Sequence, residues 1–196
     1  MCYSMDIINS EHSYLNIFFR GFPLYISIML FVLYLYSKNN YIFYLLIGIQ
    51  ISAILTFILK NVIFYPIQLL IYNFTNQIDY PFIGRFTRPE GAKNSGLIYI
   101  SEDNYSYSQG MPSGHSLSAA FISTYFYLVM NEKYNINRDN KNIFIFSLVF
   151  TLYTMYSRVY VFNVHTFQQT VVGAYIGYIF AIYYYNLIKK LNQYIK

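Results

Sequence analysis

A multi-pass bundle of transmembrane α-helices is the fold class this sequence predicts, from three observations. The chain has 196 residues, of which 56% are apolar and only 11% charged, whereas a soluble domain carries about 25% charged residues. The charges are unevenly spread, and residues 21–37, 39–59, 61–78, 142–157 and 159–188 hold none. Runs of about 17 to 25 mostly apolar residues match the hydrocarbon thickness of a bilayer. A domain of this length can bury a core in water, but it would still need a charged surface to stay dissolved.

The first helix is expected over residues 22–36. Asp6 and Glu11 stand where a signal peptide has its basic segment, so this helix is expected to be retained. The turn Ser37-Lys38-Asn39-Asn40 separates it from a second helix over 41–64. Residues 66–111 are expected to form a long loop, because Pro66, Pro81, Pro89, Gly84, Gly91, Gly96 and Gly110 interrupt any regular element. The opening of that loop, 67–74, is apolar enough to lie in the interface or dip into the membrane as a re-entrant piece. A third helix follows over 116–130, a polar connection over 131–142, a fourth helix over 143–156 and a fifth over 166–188. The expectation is thus an all-α bundle of five to six helices, one membrane-embedded domain over 1–196 without an internal repeat, with 66–111 as a loop carrying part of the site.

Composition also excludes classes of function. A single cysteine, Cys2, rules out a disulfide scaffold. The net charge of +5 comes without any Lys/Arg run longer than Lys189-Lys190, so no nucleic-acid partner is expected. No charge lies mid-helix, which argues against a porter or channel. The Tyr and Phe residues throughout the helices read as core packing and interfacial belts.

Chemistry is concentrated at helix ends. Gly110-Met111-Pro112-Ser113-Gly114-His115-Ser116 opens the third helix, where free backbone N–H groups and the helix dipole favour a phosphate. Ser113 and Gly114 are small enough for an anion to approach the backbone. Arg158 stands at the margin of the fourth helix and His165 at the start of the fifth, while Arg85 and Arg88 crowd one part of the long loop. A lone interfacial His or Arg is often merely snorkelling. Topological parity favours a site instead: with five helices, Lys60, Arg88, Ser113, His115, Arg158 and His165 all fall on one membrane side. An extra full span between Lys60 and Arg88 would break that convergence.

These motifs resemble the type 2 phosphatidic acid phosphatase superfamily, whose pattern is Lys-x6-Arg-Pro, then Pro-Ser-Gly-His, then Ser-Arg-x5-His-x3-Asp. Arg88-Pro89 resembles the end of the first motif, Pro112-Ser113-Gly114-His115 matches the second completely, and Ser157-Arg158 with His165 resembles the third. Three departures stand out. Pro81 falls where the family has its lysine, leaving Lys60, the favoured candidate, or Arg85. Six residues separate Arg158 from His165 where the family has five, and Gln169 occupies the place of the family's acid. His-Thr-x-x-Gln and Gly-Met-Pro are similar to the dolichyl diphosphate phosphatase branch.

The resemblance implies a lipid phosphate or diphosphate as substrate and a two-step displacement needing neither metal nor cofactor. His165 would be the nucleophile, His115 the general acid and Gln169 the group that orients His165. Lys60, Arg88, Ser113, Gly114 and Arg158 would hold the phosphate. Two other readings stay open at this level: a lipid phosphotransferase with the same histidine chemistry, and a catalytically silent protein that binds lipid headgroups. Lys38, Lys133, Arg138, Lys141, Lys189, Lys190 and Lys196 collect on the membrane side opposite the site, which predicts an exoplasmic or lumenal site. Nothing in the sequence sets an oligomeric state.

Overall fold

The computed structural model describes residues 14–77, 79–80, 84–95, 100–105, 109–134 and 140–194. Cys2, Asp6, Glu11, Pro81, Arg138 and Lys196 lie outside them.

Among the described residues five helical rods form the bundle: α1 (Tyr14–Ser37), α2 (Asn40–Thr75), α3 (Gly114–Tyr134), α4 (Asn140–Tyr156, continued by the π turn Ser157–Val161) and α5 (Phe167–Tyr194). Four of them are long and apolar enough to cross a membrane. Their outer surfaces carry Phe31, Val32, Ile54, Phe57, Val62, Leu70, Phe146 and Val149 largely exposed. A continuous apolar exterior of this kind suits lipid rather than water. The chain is a membrane protein with an all-α framework.

Local chemistry explains the ends. Lys38 adopts a left-handed backbone, φ 51°, to turn the chain after α1, and the Asn39 side chain accepts from Tyr41 N at 2.9 Å to start α2. Asn76, at φ 53°, closes α2 with its N–H on the Tyr72 carbonyl.

Several expectations need correcting. The loop expected from Pro66 begins only after Thr75, and the segment 67–74, expected to lie in the interface or dip into the membrane as a separate piece, continues α2. A π turn at Leu59–Phe64 widens the backbone just ahead of Pro66, so the proline's missing donor falls where the hydrogen-bond ladder has already shifted by one residue. Helix α1 likewise starts before Phe22, at Tyr14, and runs on through Pro23. The connecting loop is not wholly irregular: β1 (Asp79–Tyr80) pairs antiparallel with β2 (Gly84–Arg85), and β3 (Lys93–Ser95) with β4 (Ile100–Tyr105).

Helix α3 occupies the centre, with Ala119, Phe121, Ile122 and Tyr125 buried against Phe19 and Phe22 of α1, Leu45 and Ile49 of α2, and Ala181 and Tyr184 of α5. It meets α5 very closely. A Cβ built on Gly173 would lie 2.4 Å from the Ser113 carbonyl oxygen, and one on Gly177 only 2.1 Å from that of Leu117. Only glycine allows backbones this near. Buried hydroxyls add polar contacts, such as Ser52 with Ser118 at 3.2 Å. At the opposite end from the loop, Glu132 on α3 is held by Lys189 at 2.8 Å and by Tyr185 of α5.

Candidate active site

Three chain segments meet over the start of α3. Residues Arg85 to Arg88 run beside Gln109 to Met111: Thr87 bridges Gln109, and the N–H groups of Gly110 and Met111 both donate to the Phe86 carbonyl, at 2.8 and 3.0 Å. The Met111–Pro112 peptide is cis. Ser113 is fully buried, its N–H donating to the Gln169 carbonyl at 3.0 Å and its Oγ accepting from Ser116 Oγ at 3.2 Å. That leaves the Ser113 hydroxyl its own hydrogen to donate. Gly114 packs against Thr56 of α2, and a Cβ there would lie 3.0 Å from the threonine methyl.

The cations arrive from π turns and the loop. Lys60 sits in the π turn of α2 and donates to the Gln109 carbonyl at 3.0 Å. Arg158 sits in the π turn of α4, buried, with its guanidinium over the Phe162 ring at 5.4 Å. After that turn, Asn163 takes a left-handed backbone, φ 48°, and the N–H groups of Val164 and His165 both reach the Arg158 carbonyl, at 3.1 and 3.3 Å. A π turn takes one more residue than an α turn, which accommodates the six-residue spacing. Nε and Nη1 of Arg88 are buried with no hydrogen-bond partner among the described residues, and burial holds this guanidinium below its ordinary range. Lys60, Arg88 and Arg158 act electrostatically on both His115 and His165. Arg85, the alternative to Lys60, pairs instead with Glu90 at 3.0 Å.

His165 is 3% exposed. Its Nδ1 lies 3.0 Å from Gln169 Oε1. The tautomer follows from the partners of the same amide. Gln169 Nε2 donates to the carbonyls of Arg85 and Thr87, both at 2.7 Å. Carbonyls only accept, so the amide nitrogen must face them and its oxygen must face the ring. Nδ1 of His165 therefore carries the proton, and Nε2 presents a lone pair. Burial, then the charges of Arg158 and Lys60, hold this imidazole well below the ordinary histidine pKa, against an upward pull from Gln169.

His115 is half-buried, with Nε2 2.7 Å from the Arg20 carbonyl and the Phe22 ring edge-on at 5.7 Å. By the same reasoning Nε2 is the donor. Residues that sequence reasoning missed act mainly through their backbones: Arg20, Gln109 and Thr87 supply carbonyls, for which no side-chain signature exists, and Arg85, expected for its side chain, contributes its carbonyl as well. Thr166 was legible in principle. Its Oγ1 accepts from Gln169 N at 3.4 Å, and its N–H donates to Gln169 Oε1 at 3.2 Å, the reciprocal capping of a Thr-x-x-Gln helix start. Among the described residues no cluster of three or more His, Cys, Asp or Glu could hold a metal ion.

The site thus gathers Lys60, Arg88, Arg158, Ser113, Gly114 and the two histidines at one end of the bundle. Such a set can neutralise a phosphoryl group and offers a neutral imidazole to attack it. No curated protein and no solved structure matches the chain. The family model of the PAP2 superfamily, whose members are typically phosphatases, matches residues 40–193. With most of its length covered, and Lys60, Arg88, Ser113, Gly114, His115, Arg158 and His165 all inside the matched region, the chain belongs to the PAP2 superfamily.

Proposed function

We propose that this protein is an integral-membrane phosphatase of lipid phosphates or diphosphates that works through a phosphohistidine. The observation that carries the reading is the Gln169 amide, its oxygen on His165 Nδ1 and its nitrogen on two carbonyls, which assigns the proton to Nδ1 and leaves Nε2 as the nucleophile beside three cations. In the first step the Nε2 lone pair forms a bond to phosphorus while the bond from phosphorus to the lipid-side oxygen breaks. The departing oxygen takes a proton from His115. In the second step water attacks phosphorus, its proton passes to His115, the P–N bond breaks and inorganic phosphate leaves. Splitting the displacement lowers each barrier, and the proton donor contributes typically about 10² to 10⁴ in rate.

Lys60, Arg88 and Arg158 offset the charge of the phosphoryl oxygens, and Ser113 with the Gly114 amide donates to them. A bound dianion also offsets the three cations around His115, which favours a second proton on that ring. Gln169 and Gly110-Met111-Pro112 support a polyisoprenyl diphosphate over phosphatidate as substrate, through their likeness to the dolichyl diphosphate phosphatase branch. Lys38, Lys133, Lys141, Lys189 and Lys190 stand at the end of the bundle away from the site, which supports an exoplasmic or lumenal site.

The decisive experiment is phosphate release by the purified protein from polyprenyl diphosphate, phosphatidate and lysophosphatidate. Turnover that disappears in both His165→Ala and His115→Ala is expected. Near-normal turnover in either variant sinks the assignment.

A further inference from the structure

Gln169 does more than face His165. It is fully buried, and all four hydrogen-bonding positions of its amide are filled. Oε1 takes His165 Nδ1 and Thr166 N, and Nε2 gives to the carbonyls of Arg85 and Thr87. The last two belong to the segment that carries Arg88 and that bridges to Gln109, whose own carbonyl holds Lys60. One amide therefore joins the helix start, the proposed nucleophile and the loop that carries Arg88 and holds Lys60 through the Gln109 carbonyl. Gly110 has no Cβ at the place where one would come within 2.5 Å of Gln169 Nε2 and 2.6 Å of Oε1.

We propose that Gln169 is a positioning residue whose amide clamps the Arg88-bearing loop to His165, so that phosphate binding and nucleophile orientation depend on one side chain. The proposal rests on the phosphatase reading above. It also separates Gln169 from a carboxylate with an orienting role alone. A carboxylate accepts from Nδ1 as well as an amide does, but it has no hydrogen for the Arg85 and Thr87 carbonyls, and a negative oxygen there faces two acceptors.

Gln169→Glu distinguishes the two roles, because it preserves shape and the acceptor for His165. The clamp predicts that KM for the lipid phosphate rises by about tenfold or more, the loss expected when two buried acceptors lose their donor and Arg88 is unseated. Hydrogen exchange should also quicken in peptides covering residues 84–88 and 109–111. Gly110→Ala, which pushes the amide from its place without altering its chemistry, should reproduce both changes. Monodispersity and melting temperature of each variant identify any that fails to fold. Wild-type KM with unchanged exchange in Gln169→Glu, or in a folded Gly110→Ala, overturns the clamp. His165→Ala, run alongside, reports on the phosphatase reading alone: if it stays active that reading falls, while the exchange measurements still decide whether the loop is clamped.

Discussion

His165 Nδ1 donates to Gln169 Oε1 across 3.0 Å, and the opposite edge of the same glutamine is committed to the Arg85 and Thr87 carbonyls. The ring is thereby held in one tautomer with Nε2 open. Quenching the reaction in alkali, where a phosphorus–nitrogen bond to imidazole survives, should trap a phosphorylated His165 carrying phosphorus on Nε2. Mass spectrometry and ³¹P spectra of the digest check this. Phosphorus on Nδ1, or on another residue, contradicts the tautomer assignment.

The pH dependence follows from the surroundings of His165. Attack needs the neutral ring, and burial with the Arg158 and Lys60 charges lowers its pKa well below 6.5. A lowered value means that the active form persists as pH falls. The ratio kcat/KM, which reports the free enzyme, should therefore show no loss from His165 protonation between about pH 7.5 and about pH 6, where an ordinary histidine would be about three-quarters protonated. A decline centred near the ordinary histidine value would show that His165 is not the group so described.

Removing one of the cations proposed to hold the phosphate should act mainly on binding. A hydrogen bond to a charged group contributes about 1.5–3 kcal/mol, so Arg88→Gln, Lys60→Met and Arg158→Gln are each expected to lower kcat/KM by roughly tenfold to a hundredfold. Arg85→Gln should change it far less, because its side chain pairs with the exposed Glu90, and such surface pairs contribute about 0–1 kcal/mol. An Arg85→Gln loss as large as that of Lys60→Met would reverse the choice between these two residues.

Packing gives a prediction independent of chemistry. Gly177→Ala places a methyl 2.1 Å from the Leu117 carbonyl oxygen, where backbone rather than a flexible side chain must yield. Overpacking of this kind destabilises by about 1–3 kcal/mol, and each kcal/mol corresponds to about 2–4 °C in a chain of this size. A melting temperature several degrees lower in detergent is expected. An unchanged value would mean that α3 and α5 sit further apart than described.

The helices were legible because apolar runs of bilayer length have few other uses. Their ends were less so. Pro66 and the prolines and glycines after it read as the beginning of a loop, whereas the π turn at Leu59–Phe64 lets α2 absorb Pro66 and continue to Thr75. A π turn has no composition of its own, so neither that continuation nor the placing of Lys60 and Arg158 within such turns could be read in advance. The Pro-Ser-Gly-His and Ser-Arg motifs were visible because side-chain identity carries their chemistry. The attachment of His115 to the Arg20 carbonyl was invisible, since any residue at position 20 has that oxygen.

That last contact bears on where the functional unit begins. The family match starts at residue 40, but α1 ends before it and supplies both the acceptor for His115 and the ring of Phe22 against its edge. A protein cut back to residues 40–193 would keep every motif residue and lose the partner of one proposed acid. The edge of the family match and the edge of the proposed site are therefore different lines, and α1 lies outside the first while touching the second.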